Sequence, residues 1–348
     1  MAEQAKFILS KSILLKQYNL IKSVCDEVSF STKTNYEAAK ILESETDCHF
    51  SVHSVEGTGT IKDKARVWYF PQGWDAEEVR QTIAEKALSF VIDNEADLKV
   101  LLDSIKTTTL KINLLLRMRM KENTIHTGKY FVYGFYSDQV NKMVPELRKN
   151  KNIGKLGIHF HRKTQNLSEW QLREELSDAL DESSLKCLDC VNIGGGFPIK
   201  YKNFQADVLP RIFEEMKGLK EFLNKRNIRL ISEPGRFIAG PAVKLQASII
   251  SMYDNSIIIN CSVYNSAMDT FVASTKLEVE GELNGDDEAK GTPYTIKGYT
   301  PDSMDIFRYR VYLKQPKVGD KIVFLNAGAY NFSTDFCSLK RLKTEIVE

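Results

Sequence analysis

The sequence predicts an α/β protein, a (β/α)8 TIM barrel joined to a second, all-β domain. Three observations carry this. Over roughly 200 residues, short apolar runs alternate with amphipathic stretches, the pattern of parallel strands covered by helices, and eight such units close a barrel. After Pro241 the amphipathic stretches thin out and strand-like runs follow one another across turns. An isolated apolar run at 6–10 precedes the first helix and is free to join that later sheet. The expected division is a barrel over 25–240 and a β domain formed by 1–24 together with 241–348.

The elements follow in order. Residues 6–10 read as a strand and 13–24 as a helix. Strands are then expected at 27–32, 50–52, 65–70, 89–92, 111–120, 156–161, 187–193 and 229–232. Helices at 37–43, 75–87 and 95–104 lie between the early ones, with further amphipathic stretches later. In the second domain, 243–251, 256–261, 275–279, 294–297, 321–324 and 341–347 read as strands. The acidic stretch 283–288 reads as a solvated loop tip.

The 348 residues carry a formal net charge of +2 and are 43% hydrophobic, which allows a large core and gives no reason to expect nucleic acid or an anionic membrane as partner. No apolar run approaches the ~18 residues of a membrane span, and no signal-peptide pattern opens the chain. The six cysteines sit mostly in apolar stretches, as in a reduced cytoplasmic protein. Cys187 and Cys190 have the spacing of a metal or redox pair. They run straight into a strand and lack a second pair, so they read as core residues and no metal is expected.

The chemistry concentrates where predicted strands end. Val191-Asn192-Ile193-Gly194-Gly195-Gly196-Phe197-Pro198 is an apolar run ending in three glycines, which let backbone N–H groups approach a phosphate closely. Ser232-Glu233-Pro234-Gly235-Arg236-Phe237 adds a carboxylate and a guanidinium three positions apart. A ligand with both a phosphate and a protonated nitrogen suits that pairing, and pyridoxal phosphate is such a ligand. Glu233 would keep a pyridine nitrogen protonated, and Arg236 would clamp the phosphate. Lys33, at the end of an early strand, could form a Schiff base with an aldehyde. His159 and His161 share one face of a strand. The outer ring could stack on a flat cofactor, while core histidines are the plainer reading. Asp302 and Tyr330 lie in loop-forming pieces of the β domain. Asp302 is suited to a substrate ammonium and Tyr330 to a phosphate oxygen.

Taken together, these segments resemble the alanine-racemase-like (fold-type III) pyridoxal-phosphate decarboxylases of basic amino acids. That group includes the ornithine, lysine, arginine, diaminopimelate and carboxynorspermidine decarboxylases. Ser31-Thr32-Lys33-Thr34-Asn35 is similar to the segment whose lysine holds the cofactor. His161 matches the ring-stacking histidine. Gly194, Gly195 and Gly196 match the phosphate loop, and Glu233-Pro234-Gly235-Arg236 is the E-P-G-R motif unchanged. Asp302 falls in the G-x-x-C-D-S-x-D segment and Tyr330 in A-G-A-Y. The resemblance implies a barrel plus a β domain holding both chain ends, bound pyridoxal 5′-phosphate, and a homodimer with active sites at its interface. It gives Lys33, His161, Glu233 and Asp302 catalytic roles. Thr164, Gly235, Arg236 and Tyr330 would complete the cofactor site. Tyr264, Asp269 and Phe336 would join Asp302 beside the substrate. The implied reaction is decarboxylation of an ornithine-, lysine- or arginine-type amino acid to a di- or polyamine.

The departures bear on the substrate. Pro301 stands where the family has a cysteine that helps direct protonation. Lys163-Thr164 replaces the usual G-S, so only Thr164 keeps a hydroxyl. Phe50-Ser51-Val52-His53-Ser54 lacks the family's acid. Asn260-Cys261-Ser262-Val263-Tyr264 also lacks a substrate acid, for which Asp269 would compensate. The 262–269 stretch is closer to the carboxynorspermidine branch. Carboxynorspermidine or diaminopimelate decarboxylation, a non-catalytic binding homologue, a racemase and a plain phosphate-binding barrel stay open as alternatives.

Overall fold

The computed structural model describes residues 3–106, 108–120, 133–331 and 334–348. They divide into two compact units. One holds Tyr18–Phe197 and Asp207–Gly235. The other holds the chain up to Gln17, Pro198–Ala206 and Arg236–Glu348. Residues 198–206, read from the sequence as barrel, therefore go with the sheet unit.

The chain opens with β1 (Lys6–Ser10), which belongs to the sheet unit. The barrel follows: β2 (Glu27–Ser31), β3 (His49–Val52), β4 (Val67–Tyr69), β5 (Ser89–Ile92), β6 (Ile112–Arg117), β7 (Ile153–His159), β8 (Cys190–Asn192) and β9 (Arg229–Ser232). Each pairs in parallel with the next, and β9 closes on β2 through Glu27↔Ile231. Every residue of β2, β5 and β8 is buried, because barrel strands face a filled interior on one side and helices on the other. Trp68, Val91, Leu115, Cys190 and Ile231 form one such core layer.

Polar residues just past the strands start the covering helices. Asn35 caps Tyr36–Glu45, Ser54 caps Val55–Gly59, Asp75 caps Ala76–Ala84 and Asn94 caps Glu95–Ile105. In each, a side-chain oxygen accepts from a first-turn N–H that would otherwise lack a partner. The strand–cap–helix order keeps these turns short and holds the strand ends still.

Several strand limits differ from the sequence reading. The strand expected at 187–193 is only Cys190–Asn192, because the Cys187 and Leu188 N–H groups still bond back into the helix Glu182–Leu185. The one expected at 156–161 begins at Ile153 and stops at His159, so His161 lies beyond it, in the turn. The parallel ladder with β6, running from Ile112↔Ile153 to Arg117↔His159, sets those limits more than hydropathy does.

In the sheet unit, β10 (Val243–Tyr253), β11 (Ser256–Ile259), β12 (Thr292–Lys297), β13 (Ile306–Leu313), β14 (Lys321–Phe324) and β15 (Lys343–Val347) join β1. The order is β13-β12-β11-β10-β1-β15, with β14 also on β10. β1 runs antiparallel to β10 and parallel to β15. The strand expected at 275–279 is absent, and Val279 makes only an isolated bridge to Phe324. β13 went unread because Arg308 and Arg310 break its apolar pattern. Arg308 is nevertheless buried, paired to Glu282 at 3.1 Å.

Candidate active site

A single carboxylate organises the C-terminal mouth of the barrel. Glu233, one residue past β9, is 8% exposed. Its Oε1 accepts from Ser51 Oγ of β3 at 2.7 Å and from Asn192 Nδ2 of β8 at 2.9 Å. Its Oε2 lies 3.3 Å from His159 Nε2, at the end of β7. Burial pushes its pKa up. The close approach of His159 with its hydrogen bond, the Ser51 hydrogen bond and nearby His53 outweigh that and hold it at about 2. Glu233 is therefore an anion with its lone pairs already directed.

Lys33 sits in the 3-10 turn Thr32–Thr34 immediately after β2. Its side chain reaches solvent, yet protein surrounds enough of it to lower its pKa. Arg117, the last residue of β6, lowers it further, and Glu233 opposes both. The net effect lowers the pKa of the amine, which makes its nucleophilic free-base form easier to reach.

His161 lies in the turn after β7. Desolvation, helped by Arg117 and His159, pushes its pKa down to about 4, so the ring is neutral near pH 7. The Gly195 N–H points at its Nδ1 at 3.3 Å, which leaves the ring proton on Nε2. His53, past β3, is pushed down to about 3 by desolvation and the Lys33 charge.

The glycine loop has steric reasons for its composition. Gly194 and Gly196 adopt φ of 67° and 108°, the region that glycine tolerates best. A Cβ would lie 2.6 Å from Phe160 O at Gly194, 2.5 Å from Glu233 O at Gly195 and 2.4 Å from Lys163 O at Gly196. The loop thus threads between the His161 turn and the Glu233 turn. Asn192 ties it down, accepting from Gly194 N at 2.9 Å while donating to Glu233. Gly235 is equally confined, because a Cβ there would sit 2.2 Å from Thr34 Oγ1. Thr164 is exposed on the turn beyond His161.

The sheet unit holds the remaining expected residues in two clusters. Arg236 is buried and forks onto both carboxylate oxygens of Asp269, with Nη2···Oδ1 at 2.9 Å. Its Nη1 also donates to Tyr201 Oη at 2.8 Å, and its guanidinium lies 5.1 Å from the Tyr330 ring centre. Thr275 Oγ1 donates to Asp269 at 2.9 Å. Asp269 is 1% exposed. The expectation that it receives a substrate ammonium is therefore corrected: its charge is already matched by Arg236. A phosphate would have to compete with Asp269 for the Arg236 fork.

In the second cluster, Asp302 Oδ1 accepts from Tyr264 Oη at 3.1 Å and from the Met304 N–H at 2.7 Å. The Tyr264 ring packs 4.2 Å from Phe336, which is half exposed. Asp305, the second acid of that motif, is structural. It accepts from Val263 N and from both the N–H and the hydroxyl of Thr300. Pro301 is exposed beside them.

Four residues of the barrel mouth escaped the sequence reading as site residues. Ser51 stands where an acid was missed and supplies a hydroxyl donor instead. Asn192 is inside the glycine-loop segment, and its amide bonds were not legible. His159 was read as the deeper of two face-sharing rings. Arg117 closed an ordinary apolar run and gave no signal beyond its charge.

These residues suit pyridoxal phosphate. A buried carboxylate with directed lone pairs fits a protonated ring nitrogen, a neutral histidine fits a ring face, and the glycine cradle fits a phosphate. A lysine of lowered pKa fits an aldehyde. An eight-stranded barrel with this mouth belongs to the pyridoxal-binding class. The chain is a member of the pyridoxal-dependent decarboxylase family. The family's pyridoxal-binding domain matches residues 51–240, and its C-terminal sheet domain matches residues 199–328. Among similar proteins is the diaminopimelate decarboxylase of Bacillus subtilis, 22% identical over 77% of this chain and 66% of that protein. Another is the carboxynorspermidine/carboxyspermidine decarboxylase of Campylobacter jejuni, 28% identical over 49% of this chain and 46% of that protein. The chain thus spans about two thirds or less of the length of these relatives. The fold is similar to that of Helicobacter pylori diaminopimelate decarboxylase complexed with L-lysine. The TM-score is 0.84 at 17% identity, covering 99% of this chain and 92% of that one.

Proposed function

We propose that this protein is a pyridoxal-phosphate-dependent decarboxylase acting on a basic amino acid of the ornithine, lysine or arginine type, and that it works as a homodimer. The observation that carries the reading is the Glu233 carboxylate, held anionic by Ser51, Asn192 and His159 and coupled electrostatically to Lys33.

Bound pyridoxal phosphate supplies an electrophilic aldehyde and an electron-accepting ring. The chain's own groups do the rest. Lys33, with its lowered pKa, is the amine that anchors the aldehyde carbon. Glu233 would hold a proton at the cofactor's ring nitrogen. His161, kept neutral, covers the ring face without adding a competing charge. The backbone of Gly194, Gly195 and Gly196 receives the phosphate, with Tyr330 and Arg236 as further candidates.

Asp302, oriented by Tyr264, reads the substrate's distal cation. A single acid in that role favours a diamine precursor. A zwitterionic end, as in diaminopimelate, would need a partner for its carboxylate as well. One observation favours a second reading. The carboxynorspermidine/carboxyspermidine relative shares 28% identity over 193 residues, and that substrate class also ends in a cationic amine chain.

The test is CO2 release by the loaded protein from L-ornithine, L-lysine, L-arginine, diaminopimelate and carboxynorspermidine, with Lys33→Ala beside it. Turnover of one of the first three, lost in Lys33→Ala, is the expected result. A normal cofactor absorption band with no CO2 from any substrate would refute decarboxylation of basic amino acids and favour a binding homologue.

A further inference from the structure

His159 is the least expected member of the Glu233 cluster. It is 2% exposed and lies at the end of β7, with its Nε2 facing Glu233 Oε2 at 3.3 Å. The other two donors both serve Oε1, so His159 is the protein donor seen on Oε2. Two lone pairs would repel at that distance, so Nε2 carries the proton. Desolvation, with the Arg117 and Lys33 charges, keeps the imidazole neutral against the pull of Glu233. A neutral ring has one N–H, so Nδ1 is a bare lone pair, and it is buried with no hydrogen-bond partner.

The ring is clamped from the side. The Phe70 edge meets it at 5.1 Å and 81°, and His53 stacks on Phe70 at 4.8 Å and 16°. The charged or titratable groups around it are Lys33 past β2, His53 past β3, Arg117 at the end of β6, His161 past β7 and Glu233 past β9. An imidazole held this tightly, at the cost of an unsatisfied buried nitrogen, is poorly explained as filler.

We propose that His159 is a positioning residue for Glu233. Its Nε2–H occupies one lone-pair direction of Oε2 and so directs the other at the ring nitrogen of the cofactor. The inference rests on the reading that Glu233 faces a pyridoxal ring. It has a chemical consequence: a carboxylate that already accepts three hydrogen bonds is a weaker base, so it holds the ring proton less tightly than a free carboxylate would.

The test uses the intact protein loaded with ring-15N pyridoxal phosphate. The nitrogen shift is followed from pH 6 to 10, together with the shift of the attached proton where it is retained. The proteins compared are wild type, His159→Leu, His159→Gln and Glu233→Gln. Thermal melts check that each is folded. Glutamine still donates an N–H to Oε2 and leucine does not. The expected result is that His159→Leu releases the ring proton about one pH unit higher than wild type, or shows its attached proton displaced downfield, while His159→Gln stays with wild type. Should wild type, His159→Leu and His159→Gln coincide in both shifts, while Glu233→Gln alone loses the ring proton, the His159 role is wrong and the Glu233 reading stands. Failure of wild type to bind the cofactor, or a Glu233→Gln spectrum identical to wild type, removes both.

Discussion

Burial and the nearby Arg117 charge lower the pKa of Lys33, and this changes what pH does to the protein. Lysine-dependent formation of the cofactor absorption band should set in at lower pH than an ordinary lysine would allow. Arg117→Gln removes one lowering influence, so the onset should move up, which a spectrophotometric pH titration would detect. His161 is shifted in the same direction, and its effect on stability falls in a lower pH range. Its folded pKa is about 4, against 6.5 for an ordinary histidine. Below pH 6.5 the unfolded chain takes up a proton that the folded chain refuses until about pH 4. Stability from this group is therefore complete above 6.5 and falls as pH drops through that window. Glu233, depressed from 4.5 to about 2, adds a further fall at lower pH. Thermal melts between pH 7 and 4 should show the first decline, to which His53 and His159 add in the same direction, and His161→Phe should make it shallower. The buried Asp269–Arg236 pair gives a different prediction. Asp269→Ala leaves a buried guanidinium without its carboxylate and should cost about 3–5 kcal/mol in denaturant unfolding. A loss below 1 kcal/mol would mean the pair is matched elsewhere.

At the scale of elements, the glycine loop is fixed by what it threads between. Gly195→Ala would bring a methyl group to 2.5 Å from the Glu233 carbonyl, and the neighbour is backbone, which cannot swing aside. The β8 turn and the β9 turn must then separate. The expected outcome is roughly 1–3 kcal/mol of destabilisation, read by denaturant unfolding, together with weakened cofactor binding. Gly218→Ala is the control, since nothing lies within 4 Å of a Cβ there and the site is helical. That variant should be neutral or slightly stabilising. The loop was legible in the sequence because three glycines in a row have few other uses. The Asn192 bridge from Gly194 to Glu233 was not, because a single asparagine at a strand end has many bland explanations.

For the whole molecule, the proposed dimer makes a quantitative prediction. Suppose Lys33 and Asp302 of one site come from different subunits. Lys33→Ala and Asp302→Ala proteins, each inactive alone, should then recover activity when mixed and allowed to exchange. Random pairing restores about a quarter of the wild-type sites. No recovery, with exchange verified by mass spectrometry, would mean both residues serve the same subunit's site. Among the described residues no helix is long and apolar enough to cross a membrane.

The sequence alone determined the class of the barrel and the strand-end position of Lys33 and Glu233. These depend on local order: an apolar run, then a polar or glycine turn. Tertiary structure decided the rest, because it depends on which strand ends meet. Closing β9 onto β2 and stacking β3, β7 and β8 beside it brings Ser51, His159 and Asn192 onto one carboxylate from positions up to 182 residues away in the chain. Packing within the sheet unit likewise paired Asp269 with Arg236, 33 residues apart, and removed it from the candidates for substrate recognition. No spacing rule in a single chain encodes such meetings. They follow from the closed barrel, and from the need of each buried charge for a partner.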